Sequence, residues 1–442
     1  MGHGAVVPFL RTGQEKGQPM GFNFDVDSPA FWDAGEINQE LARVFDICHS
    51  CRRCYNLCPS FNVLLDGIDE VNGEATQLPT KTVRDVVDLC YQCKLCDPHC
   101  PYVPPHRWEV DFPRLMLRAK AARVKKEGIP LQDKVLADPE TLGRVASHFP
   151  NLANWANERK ILRVLMEQTV GIHRDRNLPQ YSSMTFTEWF ARHRPEPQGE
   201  NGKVLLFYTC TVNYNDADVG AAAVQVLTRN KVGVVAPPQV CCGMPALDGG
   251  DVDGARQRAQ ENVRTLYGAV QQGYKIVVPG PTCGYMIRRE YPHLLKDEAG
   301  KAVAENTLDL CEYLMTLHRE KKLDTTFTRG MGKVAYQVPC HLRVMNIGFK
   351  SRDLLRLLPN TRVELIEKCA GVDGTWGFKK EYFHASLKVA RGMLREIDQA
   401  EADVTVSDCP LAGLQVQHER GYRPRHPIQL VRDAYGMEPL RV

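Results

Sequence analysis

Cys48, Cys51, Cys54 and Cys58 recur as Cys90, Cys93, Cys96 and Cys100, each set spaced C-x2-C-x2-C-x3-C and each followed by a proline, Pro59 or Pro101. No other feature of the 442-residue chain limits its fold as tightly. Three thiolates within seven residues wrap one face of a cubane cluster, while the fourth, redirected by proline, reaches across to the other cluster. The spacing predicts two [4Fe-4S] clusters, one on Cys48, Cys51, Cys54 and Cys100, the second on Cys90, Cys93, Cys96 and Cys58. A chain so equipped moves electrons. Structural zinc is the weaker reading, because it takes two C-x2-C pairs or a Cys/His mixture, without a third cysteine at the same step and a Cys-Pro. Disulfides need an oxidising compartment, and residues 1–26 lack the basic start and apolar run of an export signal. A cytoplasmic location is therefore expected.

Length and charge bound the rest. A chain this long holds about three domains. No apolar stretch approaches the roughly 20 residues of a membrane span, so contact with a membrane is at most peripheral, on its inner face. The formal charge is +3. Each oxidised cubane with its four thiolates adds about two negative charges, which brings the loaded chain to near −1 and leaves nucleic-acid binding without electrostatic support.

Along the chain, residues 1–40 read as an N-terminal segment and 41–125 as a helical two-cluster domain, with helices over Ile37 to Cys48 and Thr82 to Cys90. Residues 126–200 read as a helical connector broken at Pro139, Pro150 and Pro179. The Pro/Gly stretch from Arg194 to Gly202 then marks a boundary. Beyond it, short apolar strands alternate with helices. Strands at 203–208, 232–236 and 275–279 lead to Cys210, to Cys241 and Cys242, and to Cys283. Strands at 333–338, 363–366 and 404–406 lead to Cys340, Cys369 and Cys409. The two cysteine series are offset by 130, 128 and 126 residues, so residues 201–325 and 330–442 are two copies of one α/β unit. The expected fold class is α+β and multi-domain, and every cysteine of the repeat falls at the carboxyl edge of a strand, where open α/β sheets gather ligands.

The first copy offers four thiols, Cys210, Cys241, Cys242 and Cys283, enough to close round a metal or cluster. The second offers Cys340, Cys369 and Cys409, with alanine at position 370. His341 or Asp408 would fill the fourth place, or the place stays open for chemistry. An iron–sulfur cluster, zinc, buried free thiols and the remnant of a lost site all remain open for these positions.

At these residues the chain resembles the heterodisulfide-reductase-related iron–sulfur oxidoreductases, the family that includes the iron–sulfur subunit of anaerobic glycerol-3-phosphate dehydrogenase. A two-cluster ferredoxin-like domain followed by tandem Cys…Cys-Cys-Gly…Cys (CCG) units carries the resemblance over residues 41–442, sharpened by Val338-Pro-Cys-His-Leu-Arg and Gly371-Val-Asp-Gly-Thr-Trp-Gly-Phe-Lys-Lys. It implies a subunit that relays electrons between a flavin-bearing or di-iron, rubrerythrin-like partner and an acceptor such as a quinone or a disulfide, rather than a stand-alone enzyme. No G-x-G-x-x-G or P-loop fingerprint is present, so a flavin or nucleotide would be carried by the partner. The full family unit ends in Cys-x-x-Cys; here Met286 and Ala412 stand at the last position, leaving four and three thiols. Disulfide reduction at a non-cubane cluster is correspondingly disfavoured.

Other features read more plainly. Glu158 to Met166 and Phe383 to Ile397 join apolar residues at helical spacing to Arg and Lys, a pattern shared by interfacial membrane helices and by core helices with snorkelling cations; core is the expectation. His173-Arg-Asp-Arg reads as a solvated or salt-bridged loop, and Cys311 as a core residue on an apolar helix. Two functions follow: an electron-transfer subunit, or a redox-partner docking module whose C-terminal half is stapled by zinc.

Overall fold

The computed structural model describes residues 24–440; the expectation drawn from residues 1–23 lies outside the described residues. The first layer is helical. Asp33 caps the helix Ala34–Cys51 by accepting from the Glu36 amide, and Arg52, in the left-handed region, ends it immediately after Cys51. Cys58 is extended, and Pro59 opens the helix Pro59–Glu70 at its first turn, where proline suits the backbone. With Thr80–Leu89 and Phe112–Glu127 these helices enclose a core in which Phe61 stacks on Phe112 at 4.4 Å. Each cysteine run therefore begins at the end of a helix or at the turn that follows one.

Prolines 139 and 150 do not merely interrupt the connector: each is the first residue of a helix, Pro139–Ser147 and Pro150–Glu158. Leu131–Leu136, Lys160–Val170 and Phe186–His193 complete it. Here the structure overturns one expectation. The helix Lys160–Val170 buries Arg163 and Glu167 and turns Ile161, Leu162 and Leu165 outward, with Ile161 84% exposed. The polar side faces inward because Arg163 donates to the carbonyls of His173, Arg174 and Arg176, satisfying a turn that would otherwise be buried unpaired. Phe383–Gln399, by contrast, is the core helix expected, burying Ala390, Met393, Leu394 and Ile397. The His173–Arg176 run is only partly a salt-bridged loop. Arg174 pairs with Glu167, but Arg176 is 1% exposed and donates to the Gly377 carbonyl, Gln415 and Ser386, fastening the connector to the C-terminal unit.

The two α/β units carry seven strands: β1 (Lys203–Leu206), β2 (Gly233–Val235), β3 (Lys275–Val278), β4 (Thr307–Asp309), β5 (Gly332–Gln337), β6 (Thr361–Ile366) and β7 (Val404–Val406). The sheets are parallel, ordered β2-β1-β3-β4 and β6-β5-β7. The order β2-β1-β3 repeats as β6-β5-β7, the structural counterpart of the sequence repeat, and β4 is the one strand the sequence pattern had not signalled. One continuous apolar core runs through both sheets, including Val204, Leu206, Val277, Val334, Tyr336 and Val406. Cys311 lies wholly inside it.

Candidate metal centres

Because β1 and β5 are central, with neighbours reached in opposite directions, the carboxyl ends of each sheet open a crevice at the switch of strand order. The repeat cysteines sit there. Cys210 follows β1, Cys241 and Cys242 follow β2, and Cys283 follows β3; Cys340, Cys369 and Cys409 stand in the same places after β5, β6 and β7. The glycine of each Cys-Cys-Gly or Cys-Ala-Gly turn is required by geometry. Gly243 has φ 91°, and a Cβ there would meet the Ala255 carbonyl at 3.1 Å; Gly371 has φ 68°, and its Cβ would meet the Ser386 carbonyl at 2.4 Å.

In the helical layer the eight ferredoxin-type cysteines sort into two cavities with crossed membership. Cys48, Cys51, Cys54 and Cys100 line one, closed by Phe61, Leu65 and Val110. Cys58, Cys90, Cys93 and Cys96 line the other, beside Phe61 and Phe112. Each cavity thus takes three thiols from one run and the last from the other. Burial and the crowding of neighbouring sulfurs push the Cys54 thiol up to about 11 and Cys58 up to about 12, and push Cys93 and Cys96 well up. Four thiolates in an apolar pocket need a cationic centre to hold them, and four converging sulfurs are the donor set of a cubane.

The first CCG site is compact. Thiol hydrogen bonds link Cys241 to Cys210 and Cys242, and Cys242 to Cys283. These donors pull Cys241 well below the usual thiol range, with the Gly243 amide adding to the effect, while Cys210 and Cys242 are pushed up. The surroundings fix the site: the Cys241 amide donates to Glu140 from the connector, Asn262 donates to the Val240 and Cys241 carbonyls, and Tyr291 donates to the Cys242 carbonyl. Met286, in place of a fifth cysteine, is fully buried next to Gly243. Its thioether fills the space rather than completing a five-thiolate set.

The second CCG site differs. Cys340, Cys369 and Cys409 line one cavity with Ala370 and Ala412, and Leu95 of the ferredoxin-like layer closes it. The two residues named for the fourth place stand differently. The Asp408 carboxylate does not line this cavity; it accepts from the Tyr336 and Ser351 hydroxyls at 2.7 Å each and lies 4.0 Å from the Cys311 thiol. His341 is inside the cavity wall, but its Nδ1 meets Thr282 Oγ1 at 3.0 Å and its Nε2 faces the Gln92 carbonyl at 3.4 Å. Burial and the nearby Lys94 charge push His341 down to about 3, so the ring is neutral. The sequence reading missed Asp373. Its carboxylate, the Cys340 thiol and the His341 ring place donor atoms within 4.8 Å of one another. Burial and Asp248 push the Asp373 carboxyl up to about 8. Its signal in the sequence was the glycine on each side of Val372-Asp373.

The second ferredoxin-type cavity and the second CCG site adjoin. The Tyr91 hydroxyl lies 3.4 Å from Cys369 Sγ, and after burial the Cys369 sulfur is the strongest influence on the Cys93 thiol. Cys54 of the first cavity likewise acts on Cys96 of the second. Lys94, buried at the same junction, donates to the Gln92 carbonyl at 2.9 Å and lies 3.7 Å from Asp248; its charge survives burial because Asp248, Glu290 and Asp373 surround it. At the first CCG site the charges acting on Cys210 are local, Cys241, Cys283 and Glu140.

Comparison with known proteins agrees with this layout. Residues 41–126 match the family described as the citrate utilization protein B Fer4-like domain, and residues 204–288 and 334–417 each match the cysteine-rich domain, CCG. One subunit of the anaerobic glycerol-3-phosphate dehydrogenase of Escherichia coli K12 is 30% identical over 311 residues, 69% of this chain and 77% of that protein. Lactate utilization protein A of Anoxybacillus flavithermus is 29% identical over 218 residues, 47% of this chain and 87% of that protein. Among the described residues no helix is long and apolar enough to cross a membrane. Iron–sulfur binding and assembly with a protein partner in an oxidoreductase-type complex follow from these relatives. The chain belongs to the family of iron–sulfur subunits that join a Fer4-like domain to tandem CCG domains, a family in which that glycerol-3-phosphate dehydrogenase is represented.

Proposed function

We propose that this chain relays electrons through three centres in series. These are a [4Fe-4S] cluster on Cys48, Cys51, Cys54 and Cys100, a second on Cys58, Cys90, Cys93 and Cys96, and a cluster at the second CCG site. The observation that carries the reading is the contact of Tyr91 with Cys369, which leaves no intervening layer between the second and third centres. Bound clusters supply one-electron redox chemistry. The chain's residues exclude water from them with Phe61, Phe112 and Leu95, donate to sulfur from the Tyr102 and Gly371 amides, and hold Lys94 as a fixed positive charge beside Cys90. The first CCG site, closed by four thiols and braced from the connector, acts as a staple holding zinc or a cluster away from the path. The name of the Escherichia coli relative favours a dehydrogenase, carrying the flavin this chain lacks a fingerprint for, as the partner.

The far end of the path is a membrane quinone. The connector supports this with an apolar outer face, including Phe149, Leu152, Trp155, Ile161 and Leu165, among the exposed cations Lys134, Arg144, Arg159 and Lys160. That combination suits the interface of an anionic bilayer. Flotation with anionic vesicles should carry the wild-type protein and not the Ile161→Glu, Leu165→Glu double variant; equal flotation removes the membrane from the scheme.

The relay is tested on anaerobically purified protein by iron, sulfide and zinc analysis with EPR of the reduced form. More than about eight irons per chain, with a signal lost in Cys369→Ser, is expected. About eight irons and unchanged spectra in Cys369→Ser would instead leave the C-terminal half as a zinc-stapled docking module.

A further inference from the structure

We infer that Asp373 is the fourth ligand of the metal centre at the second CCG site, completing a set of three thiolates and one carboxylate with Cys340, Cys369 and Cys409. The inference rests on the reading that this site holds an iron–sulfur cluster. Two of the cysteine positions of a full unit are alanines here, and both Ala370 and Ala412 line the cavity, so neither position supplies a further thiol. Of the polar side chains in the wall, His341 is engaged at both nitrogens. Gln337 is engaged as well, donating to the Val338 carbonyl and accepting from the Ser407 hydroxyl. Asp373 is different: its Oδ2 is buried with no hydrogen-bond partner. It lines the same cavity as Cys340, Cys369 and Cys409, and its carboxylate lies within 4.8 Å of the Cys340 thiol.

The backbone is shaped to deliver it. Gly371, Asp373 and Gly374 all have positive φ, 68°, 23° and 48°, so the loop folds back into the cavity after Cys369. Asp373 is the one non-glycine of the three, a conformation an L residue holds only where its surroundings enforce it. A buried carboxylate oxygen with no hydrogen-bond partner is costly, and a metal ion removes the cost by accepting it.

A carboxylate is a harder ligand than a thiolate, so the iron it holds is the one most easily lost. On oxidation by ferricyanide, [4Fe-4S]2+ gives up one electron to the oxidant and releases one Fe2+, leaving [3Fe-4S]+. In the full chain, ferricyanide should therefore produce a three-iron EPR signal that is absent in Cys369→Ser and is reversed by ferrous iron and reductant. Asp373→Cys should abolish that signal while keeping its iron, and Asp373→Ala should hold the three-iron form before any oxidant is added. The signals of the Cys48–Cys100 clusters report that each variant is folded. The inference is overturned if both Asp373 variants match the wild type in iron content and oxidised spectrum while Cys369→Ser loses iron. If Cys369→Ser loses no iron, the cluster reading itself fails first.

Discussion

Single residues at the carboxyl edges of the sheets carry constraints that a sequence pattern does not display. Gly371 is one: the backbone twist at φ 68° and the Ser386 carbonyl together exclude a side chain, and its amide donates to Cys369 Sγ at 3.3 Å. Gly371→Ala should cost ~1–3 kcal/mol and release the metal of the second CCG site. The ferredoxin-type EPR signals should persist, and metal analysis beside EPR checks both. Asp309 is another. It caps the helix Leu310–Arg319, accepting from the Cys311 and Glu312 amides, yet burial and the nearby Asp408 push its carboxyl from 3.8 up to about 8. Because the folded state keeps the proton that the unfolded state releases, Asp309 lowers stability progressively as pH rises from 3.8 to about 8. In Asp309→Asn, which still caps, that slope should flatten; an unchanged pH dependence of Tm would refute the assignment.

At the scale of elements, the strands were the legible part. Six of the seven are apolar runs ending a few residues before a cysteine of the repeat, and β4 escaped because Thr307-Leu308-Asp309 is too polar to stand out. The helices Lys160–Val170 and Phe383–Gln399 show where periodicity stops being informative. Both carry an apolar stripe with cations beside it, and only tertiary packing decides that the first stripe faces outward and the second inward. Leu394→Ala should therefore cost ~2–5 kcal/mol, and Ile161→Ala less than ~0.5 kcal/mol, by chemical denaturation. A large loss in Ile161→Ala would mean that its helix packs against something other than solvent or lipid.

At the scale of the molecule, both CCG units lie against the ferredoxin-like layer, the first through Asp248 and Glu290, which face Lys120 and Arg114, and the second through Tyr91, Leu95 and the Trp376 indole, which donates to the Asp88 carbonyl at 3.1 Å. Lys94, one residue past Cys93, is buried at this junction. A positive charge beside Cys90 favours the reduced, more negative cluster. Lys94→Met should lower the reduction potential of the second ferredoxin-type cluster by on the order of 50–100 mV, and Lys94→Arg should largely retain it. Potentiometric EPR measures both, and an unshifted potential in Lys94→Met removes Lys94 from the electrostatics of the path.

The cysteine spacing by itself determined which thiols can share a cavity in the helical layer, because ligand reach over a few residues is a local property of the chain. The 126-to-130-residue offset determined that two like units follow. The fourth place at the second CCG site was not legible. His341 and Asp408 adjoin cysteines in sequence, but their polar atoms are satisfied by Thr282, Gln92, Tyr336 and Ser351, whereas Asp373 reaches the thiols only through a left-handed loop. The order of the centres was likewise decided by packing. The distances between them run across elements hundreds of residues apart, and only burial of the Tyr91–Trp376 face brings the second cavity against Cys369.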